Sequence, residues 1–191
     1  MQNVGPMILV IEGVDCVGKT TLAKAIASKL GFRYLYTPQP PLSAIRKEVE
    51  SLDDPNTRFF YYLASVIAVQ RTLRADLAVG RSVVVDRYIH STLVMHRVLG
   101  VDVSCVSIEK LPILWPMVSV LLTATSETRV ARRNKRDGSQ DYDQRIEQST
   151  ELLDRAQKVF ADSHQWSLAL ETDSLSAEQV EAQVTLLLQE Q

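Results

Sequence analysis

Cysteine is scarce in this chain of 191 residues: Cys16 and Cys105 support neither a disulfide framework nor a metal-ligand pattern, and they lead us to expect a reducing, cytoplasmic setting. Excess charge is missing too, since 21 Lys and Arg against 23 Asp and Glu leave a net charge of −2. That balance argues against a nucleic-acid partner and makes any anion site local. No run approaches the ~18 uncharged apolar residues of a membrane span, and no basic segment leads into a long apolar core, so neither a membrane nor secretion is expected. Repeats, low-complexity tracts and linkers are absent as well. What remains has the size of one α/β domain, with 46% hydrophobic and 23% charged residues, both ordinary for a globular core.

Short apolar runs alternate with helix-period stretches along the chain. The runs are MILVIEG (7–13), FRYLYT (32–37), SVVVDRY (82–88), PMVSVLLTA (116–124) and WSLALET (166–172). Helices are expected near 19–30, 42–52, 57–79, 89–99, 127–136, 143–162 and 177–189, with capping boxes at Ser176/Gln179 and Asp141/Gln144. The alternation predicts five parallel strands with crossover helices on both faces. Right-handed crossovers bring Gly13, Thr37, Asp86 and Ala124 to one edge of the sheet, where such folds bind ligands.

The first strand runs into Gly13-Val14-Asp15-Cys16-Val17-Gly18-Lys19-Thr20-Thr21, a match to G-x-x-x-x-G-K-[ST] between a strand and an amphipathic helix. Glycines let successive backbone N–H groups converge on phosphate oxygens, and the helix N-terminus adds partial positive charge. Lys19 can reach the β and γ phosphates, and the Thr20 hydroxyl can ligate Mg²⁺. The expected fold is therefore a three-layer P-loop domain over residues 1–191, and the expected ligand is ATP or GTP. Asp86 closes VVVD as a candidate carboxylate for the same Mg²⁺, the alternative being a solvated strand end.

A second basic feature, RVARRNKR, puts Arg129, Arg132, Arg133 and Arg136 at i, i+3, i+4 and i+7, so that four guanidinium groups are expected on one helix face. The bland alternative is a solvated face complementing the helix dipole. Because Asp137-Gly138-Ser139 follows, we expect a lid over about 129–145 that closes on the phosphates. The stretch Asn134-Lys135-Arg136-Asp137 fits a guanine-reading pattern in letters only, lying in the basic helix rather than after an apolar strand. A GTPase switch is accordingly not expected.

Together, IEGVDCVGKTTLAKAIASKL, IRKEV, VVVDRYIHST and the basic stretch followed by DYDQRIE resemble the thymidylate kinase family of nucleoside monophosphate kinases over nearly the whole chain. The resemblance implies transfer of the γ-phosphoryl of Mg-ATP to a nucleoside monophosphate, and frequently a homodimer. It also implies that Asp15 contacts the acceptor sugar, that Arg46 and Arg87 grip the acceptor phosphate, and that Arg132 and Arg136 neutralise the transferring group. Tyr62 corresponds to an aromatic that stacks on the base, and Thr92 to a polar acceptor contact.

This sequence departs from the family on the acceptor side. Thr37-Pro38-Gln39-Pro40-Pro41 stands where the family has Thr-Arg-Glu-Pro-Gly-Gly, Val66 where it has a base-reading Arg, and Met95 where it has a Tyr. An acceptor other than dTMP is expected from these changes. Two other functions stay open: a kinase for a hydroxyl acceptor with Asp15 or Asp86 as base, and a non-catalytic ATP-binding module. Trp115 and Trp166 are expected in the core, Cys16 as a small filler of the loop, and the last helix on the adenine side with the Thr172-Asp173-Ser174 loop.

Overall fold

In a computed structural model, residues 5–135 and 149–190 are described. Arg136, Asp137-Gly138-Ser139 and the expected Asp141/Gln144 capping box lie outside them. The elements are β1 (Ile8–Glu12), α1 (Lys19–Leu30), β2 (Arg33–Tyr36), α2 (Arg46–Ser51), α3 (Pro55–Ala68), α4 (Gln70–Ala78), β3 (Val83–Asp86), α5 (Ile89–Val98), β4 (Val118–Thr123), α6 (Ser126–Lys135), α7 (Thr150–Ser163), β5 (Leu168–Glu171) and α8 (Ala177–Gln189). All five expected strands form, each trimmed by one or two residues at either end.

The strands pair in parallel in the order β2-β3-β1-β4-β5. β1 is central, and its register sets Ile11 beside Asp86 on one side and Val120 on the other. The end of β1 and the end of β3 therefore reach the same edge together. α1 and α8 cover one face of the sheet, while α4, α5 and α7 cover the other with α3 against α5. Leu9, Val10 and Ile11 are fully buried because β1 meets apolar side chains on both faces. At roughly 1.5–3 kcal/mol per buried aliphatic side chain, this strand anchors the loop that follows it.

One expected helix is divided in two. α3 and α4 are separated at Val69, where the Gln70 side chain turns back to donate to the Val66 carbonyl at 2.7 Å and, through Oε1, accepts from Leu114 N at 2.8 Å. A side chain that takes over the carbonyl four residues back interrupts the helical ladder. The Ser176/Gln179 capping box forms as expected. Trp166 is partly buried and its indole N–H donates to the Phe160 carbonyl at 2.9 Å. Trp115 departs from expectation: it is 47% exposed, because it precedes β4 outside the packed layer.

Candidate functional site

The loop after β1 is shaped by two glycines. A Cβ on Gly13 (φ 136°) would stand 2.3 Å from the Leu122 carbonyl oxygen of β4, and Gly18 starts α1 at φ 105°. Neither position suits another residue. α1 begins without a side-chain cap hydrogen bond, so its first-turn N–H groups and positive dipole end face the loop, which is the requirement for holding an anion. Lys19 is buried and donates to the Val14 carbonyl at 2.5 Å. Burial, with Arg87 adding repulsion, lowers its pKa to about 8, against the pull of Asp15, Asp86 and Glu12. Val14, Cys16 and Val17 are buried, with Cys16 at φ 65°, in keeping with a filler role for the thiol.

Thr20 Oγ1 donates to Asp86 Oδ2 at 2.5 Å, and Tyr34 Oη reaches the same oxygen at 3.4 Å. The second oxygen, Asp86 Oδ1, is buried with no hydrogen-bond partner among the described residues. A hydroxyl and a carboxylate with an unsatisfied oxygen form a hard donor set that fits Mg²⁺.

Beside the loop lies a cavity of about 320 Å³, with Gly18, Thr21 and Leu22 on one wall and Leu175, Ala177 and Val180 on the other. The start of α8 forms one wall of this cavity. Arg132 crosses this cavity: Nη1 donates to Thr172 Oγ1 at 2.8 Å and to the Cys16 carbonyl at 3.3 Å, and Nη2 to the Thr172 carbonyl at 2.6 Å. The expected common face of α6 is corrected here. Arg129 is 3% exposed and turns to Asp154 of α7 at 2.5 Å, so it ties the helix down, while Arg133 lines a narrow gap with Asp15, Cys16 and Ser126. Arg129 and Arg133, one turn apart, thus line the same gap, while Arg132 turns to Thr172.

On the other side of the P-loop, Arg87 pairs with Asp15. Arg87 has φ 68°, an uncommon conformation for a residue with a side chain, held by its N–H to the Ile11 carbonyl at 3.1 Å and by Thr37 Oγ1 on its carbonyl at 3.1 Å. Farther out, Arg46 Nε donates to Glu50 Oε1 at 2.8 Å, and Tyr62 Oη donates to the same oxygen. The Tyr62 ring lies 5.7 Å from the His96 ring, and His96 Nδ1 is 2.6 Å from the carbonyl of Thr92. Val66 is fully buried.

The family model described as thymidylate kinase matches residues 11–184.

The chain belongs to the thymidylate kinase family.

It is a nucleoside monophosphate kinase-type phosphotransferase. Among its relatives, a probable thymidylate kinase of Methanocaldococcus jannaschii is 31% identical over 135 residues, 69% of this chain and 71% of that protein. Another from Thermoplasma volcanium is 28% identical over 185 residues, 88% of this chain and 91% of that one. The fold matches a thymidylate kinase from Candida albicans with a TM-score of 0.77 at 17% identity, covering 97% and 92% of the two chains. It also matches a deoxyadenosine kinase from M. mycoides with a TM-score of 0.66, again at 17% identity, covering 97% of this chain and all of the other.

For this thymidylate kinase relative, the structure brings together the site residues expected from sequence as two groups. Gly13 to Thr21, Asp86 and Arg132 stand around the loop after β1, and Arg87, Arg46, Tyr62 and Thr92 extend away from it on the side of Asp15. Arg136 lies outside the described residues. One residue that the motif did not single out is Glu12. It is fully buried, and its Oε1 accepts from Tyr88 N at 3.1 Å and Ser91 N at 3.2 Å while Oε2 accepts from the Ser91 hydroxyl. Burial raises its pKa, partly offset by these hydrogen bonds and by Arg87. Glu12 thereby caps α5 from β1 and locks the Arg87 turn to the P-loop. Its signal was a lone acid ending an otherwise apolar run. Among the described residues, no helix is long and apolar enough to cross a membrane.

Proposed function

We propose that the protein transfers the γ-phosphoryl group of ATP to a nucleoside monophosphate. In this reading the residues 13–21 loop holds the donor phosphates, Lys19 neutralises the oxygens at the transferring group, and Thr20 with Asp86 holds Mg²⁺. The metal, when bound, supplies charge neutralisation across the donor phosphates. Arg132 lines the cavity that would seat the base and ribose of ATP. Its expected neutralising role therefore rests with Arg136 and extends to Arg133, which stands beside Asp15. Arg87 and Arg46 carry the acceptor phosphate, with Asp15, Thr92 and Tyr62 around the sugar and base. Transfer of this kind depends on in-line placement and charge far more than on covalent help.

The observation that carries this reading is the adjacency of the two sites: Asp15 belongs to the donor loop and is paired with Arg87 of the acceptor turn. A phosphate acceptor is already an anion and needs no general base. The hydroxyl-kinase alternative requires Asp15 or Asp86 to take a proton, but Asp15 is paired with Arg87 and Asp86 is the carboxylate that this reading gives to Mg²⁺. That commitment favours the monophosphate. A homodimer belongs to the same proposal, and Phe60 at 53% exposure with Ile67 two turns farther along α3 provides an apolar stripe for it. Following ADP formation with Mg-ATP and a panel of nucleosides and their monophosphates tests the reaction. Turnover with monophosphates alone supports it, whereas turnover with nucleosides alone, or with no acceptor at all, rejects it.

A further inference from the structure

Glu50 ends the last full turn of α2 with its side chain only 2% exposed. A carboxylate is expensive to bury unless both oxygens are occupied. Here the load is uneven. Oε1 accepts from Arg46 Nε at 2.8 Å and from the Tyr62 hydroxyl, while Oε2 is buried with no hydrogen-bond partner among the described residues. The neighbouring wall is of the same character. Thr92 contributes a carbonyl to His96 Nδ1 at 2.6 Å, and a carbonyl can only accept, so Nδ1 carries the proton and Nε2 keeps a lone pair. Burial holds that imidazole neutral, with its pKa lowered to about 4. Val66 offers only methyl groups, and the Arg46 guanidinium is engaged by Glu50.

The Tyr62 ring thus lies next to a carboxylate with one oxygen, Glu50 Oε2, still without a donor. A base laid against it gains by bringing an N–H donor, and loses where a carbonyl oxygen faces the carboxylate. Carboxylates pair with the exocyclic amine of cytosine for this reason.

We infer that Glu50 is a specificity-determining residue of the acceptor pocket, selecting a nucleoside monophosphate whose base presents an exocyclic amino group over one that presents a carbonyl in its place. This inference rests on the monophosphate-kinase reading and names its substrate class. The cost of leaving a buried polar group unpaired makes such selection strong, and site-built hydrogen bonds commonly discriminate by far more than tenfold.

Calorimetric titration of the full chain with dCMP, dAMP, dTMP and dUMP reads base preference whether or not transfer follows. The wild type is expected to bind dCMP or dAMP at least ~10-fold more tightly than dTMP and dUMP. Glu50→Gln keeps an oxygen for Arg46 and Tyr62 and sets an amide NH₂ at the place of Oε2, so the ratio should collapse or invert toward dTMP. Circular dichroism of this near-isosteric variant separates lost preference from lost fold. Equal or tighter binding of dTMP by the wild type, no binding of any of the four, or an unchanged ratio in folded Glu50→Gln overturns the inference. Steady ADP formation with dTMP alongside equal binding of all four sinks the base preference alone and leaves the kinase reading standing. Absence of ADP with every monophosphate sinks the parent reading instead.

Discussion

The two halves of the site, which we assign to donor and acceptor, are built from different materials. The donor half relies on backbone: two glycines, the uncapped start of α1 and a cavity of about 320 Å³ beside them. The acceptor half relies on side chains that already hold one another, Asp15 with Arg87 and Glu50 with Arg46 and Tyr62. Backbone amides recognise any polyphosphate and cannot be changed by substitution, so the donor half stays legible in the sequence. Paired side chains can be exchanged as sets, and a ligand must compete with or complete those pairs. Selectivity then belongs to the acceptor half, where this chain departs from its family.

The sharpest way to break that contrast is to remove the donor-half side chain assigned to the transferring group. Lys19→Met should reduce transfer by several orders of magnitude in a steady-state assay, because it deletes a preorganised charge at the reacting group. A loss below tenfold would mean that backbone alone suffices.

Glu12 joins the two halves, so its substitution tests whether they are separable. Glu12→Gln retains an acceptor for Tyr88 N and Ser91 N, and about a tenfold fall in kcat with native-like melting is expected. Glu12→Leu leaves both N–H groups unpaired and should cost about 2–5 kcal/mol in denaturant unfolding. Equal behaviour of the two variants would remove the positioning role.

Arg132→Ala addresses the donor half alone. Since its guanidinium lines the cavity that we assign to the base, the KM for ATP should rise by about tenfold with a smaller change in kcat and little effect on acceptor KM. A pure kcat effect would return Arg132 to the transferring phosphate.

A smaller effect concerns the fold under the acceptor half. His90 and His96 both have pKa values lowered from 6.5 to about 4, chiefly by burial, with His164 adding to the shift at His90 and Arg58 at His96. Below pH 6.5 the unfolded chain takes up protons that the native rings refuse. Their contribution to stability is therefore complete above pH 6.5 and is lost as the pH falls toward 4, by at most about 3 kcal/mol for each ring. Urea unfolding from pH 7 to 4 should show this slope, and His90→Gln should flatten part of it.

Much of the architecture was readable without coordinates. Each apolar run became a strand because it alternates with amphipathic helices, and the Gly13–Thr20 spacing marked the turn from β1 into α1. Directions of side chains were not readable. Arg129, Arg132 and Arg133 share a helical repeat, yet Asp154 and Thr172, which redirect the first two, come from elements 25 and 40 residues away. Gln70 interrupts a periodic stretch because Leu114, 44 residues on, completes its amide. Glu50 looked like one more charge on a polar helix, since nothing in IRKEVES reveals that Tyr62 will close over it. Local pattern reports the backbone, whereas long-range partners decide what each polar group is for.

The most direct measurement follows one reaction mixture by ³¹P NMR, with protein, Mg-ATP and a nucleoside monophosphate. The account predicts that the γ-phosphate resonance of ATP falls while ADP and a nucleoside diphosphate rise in equal amounts, with no inorganic phosphate. Growth of inorganic phosphate alone, or unchanged spectra with folded protein and every monophosphate supplied, would contradict it.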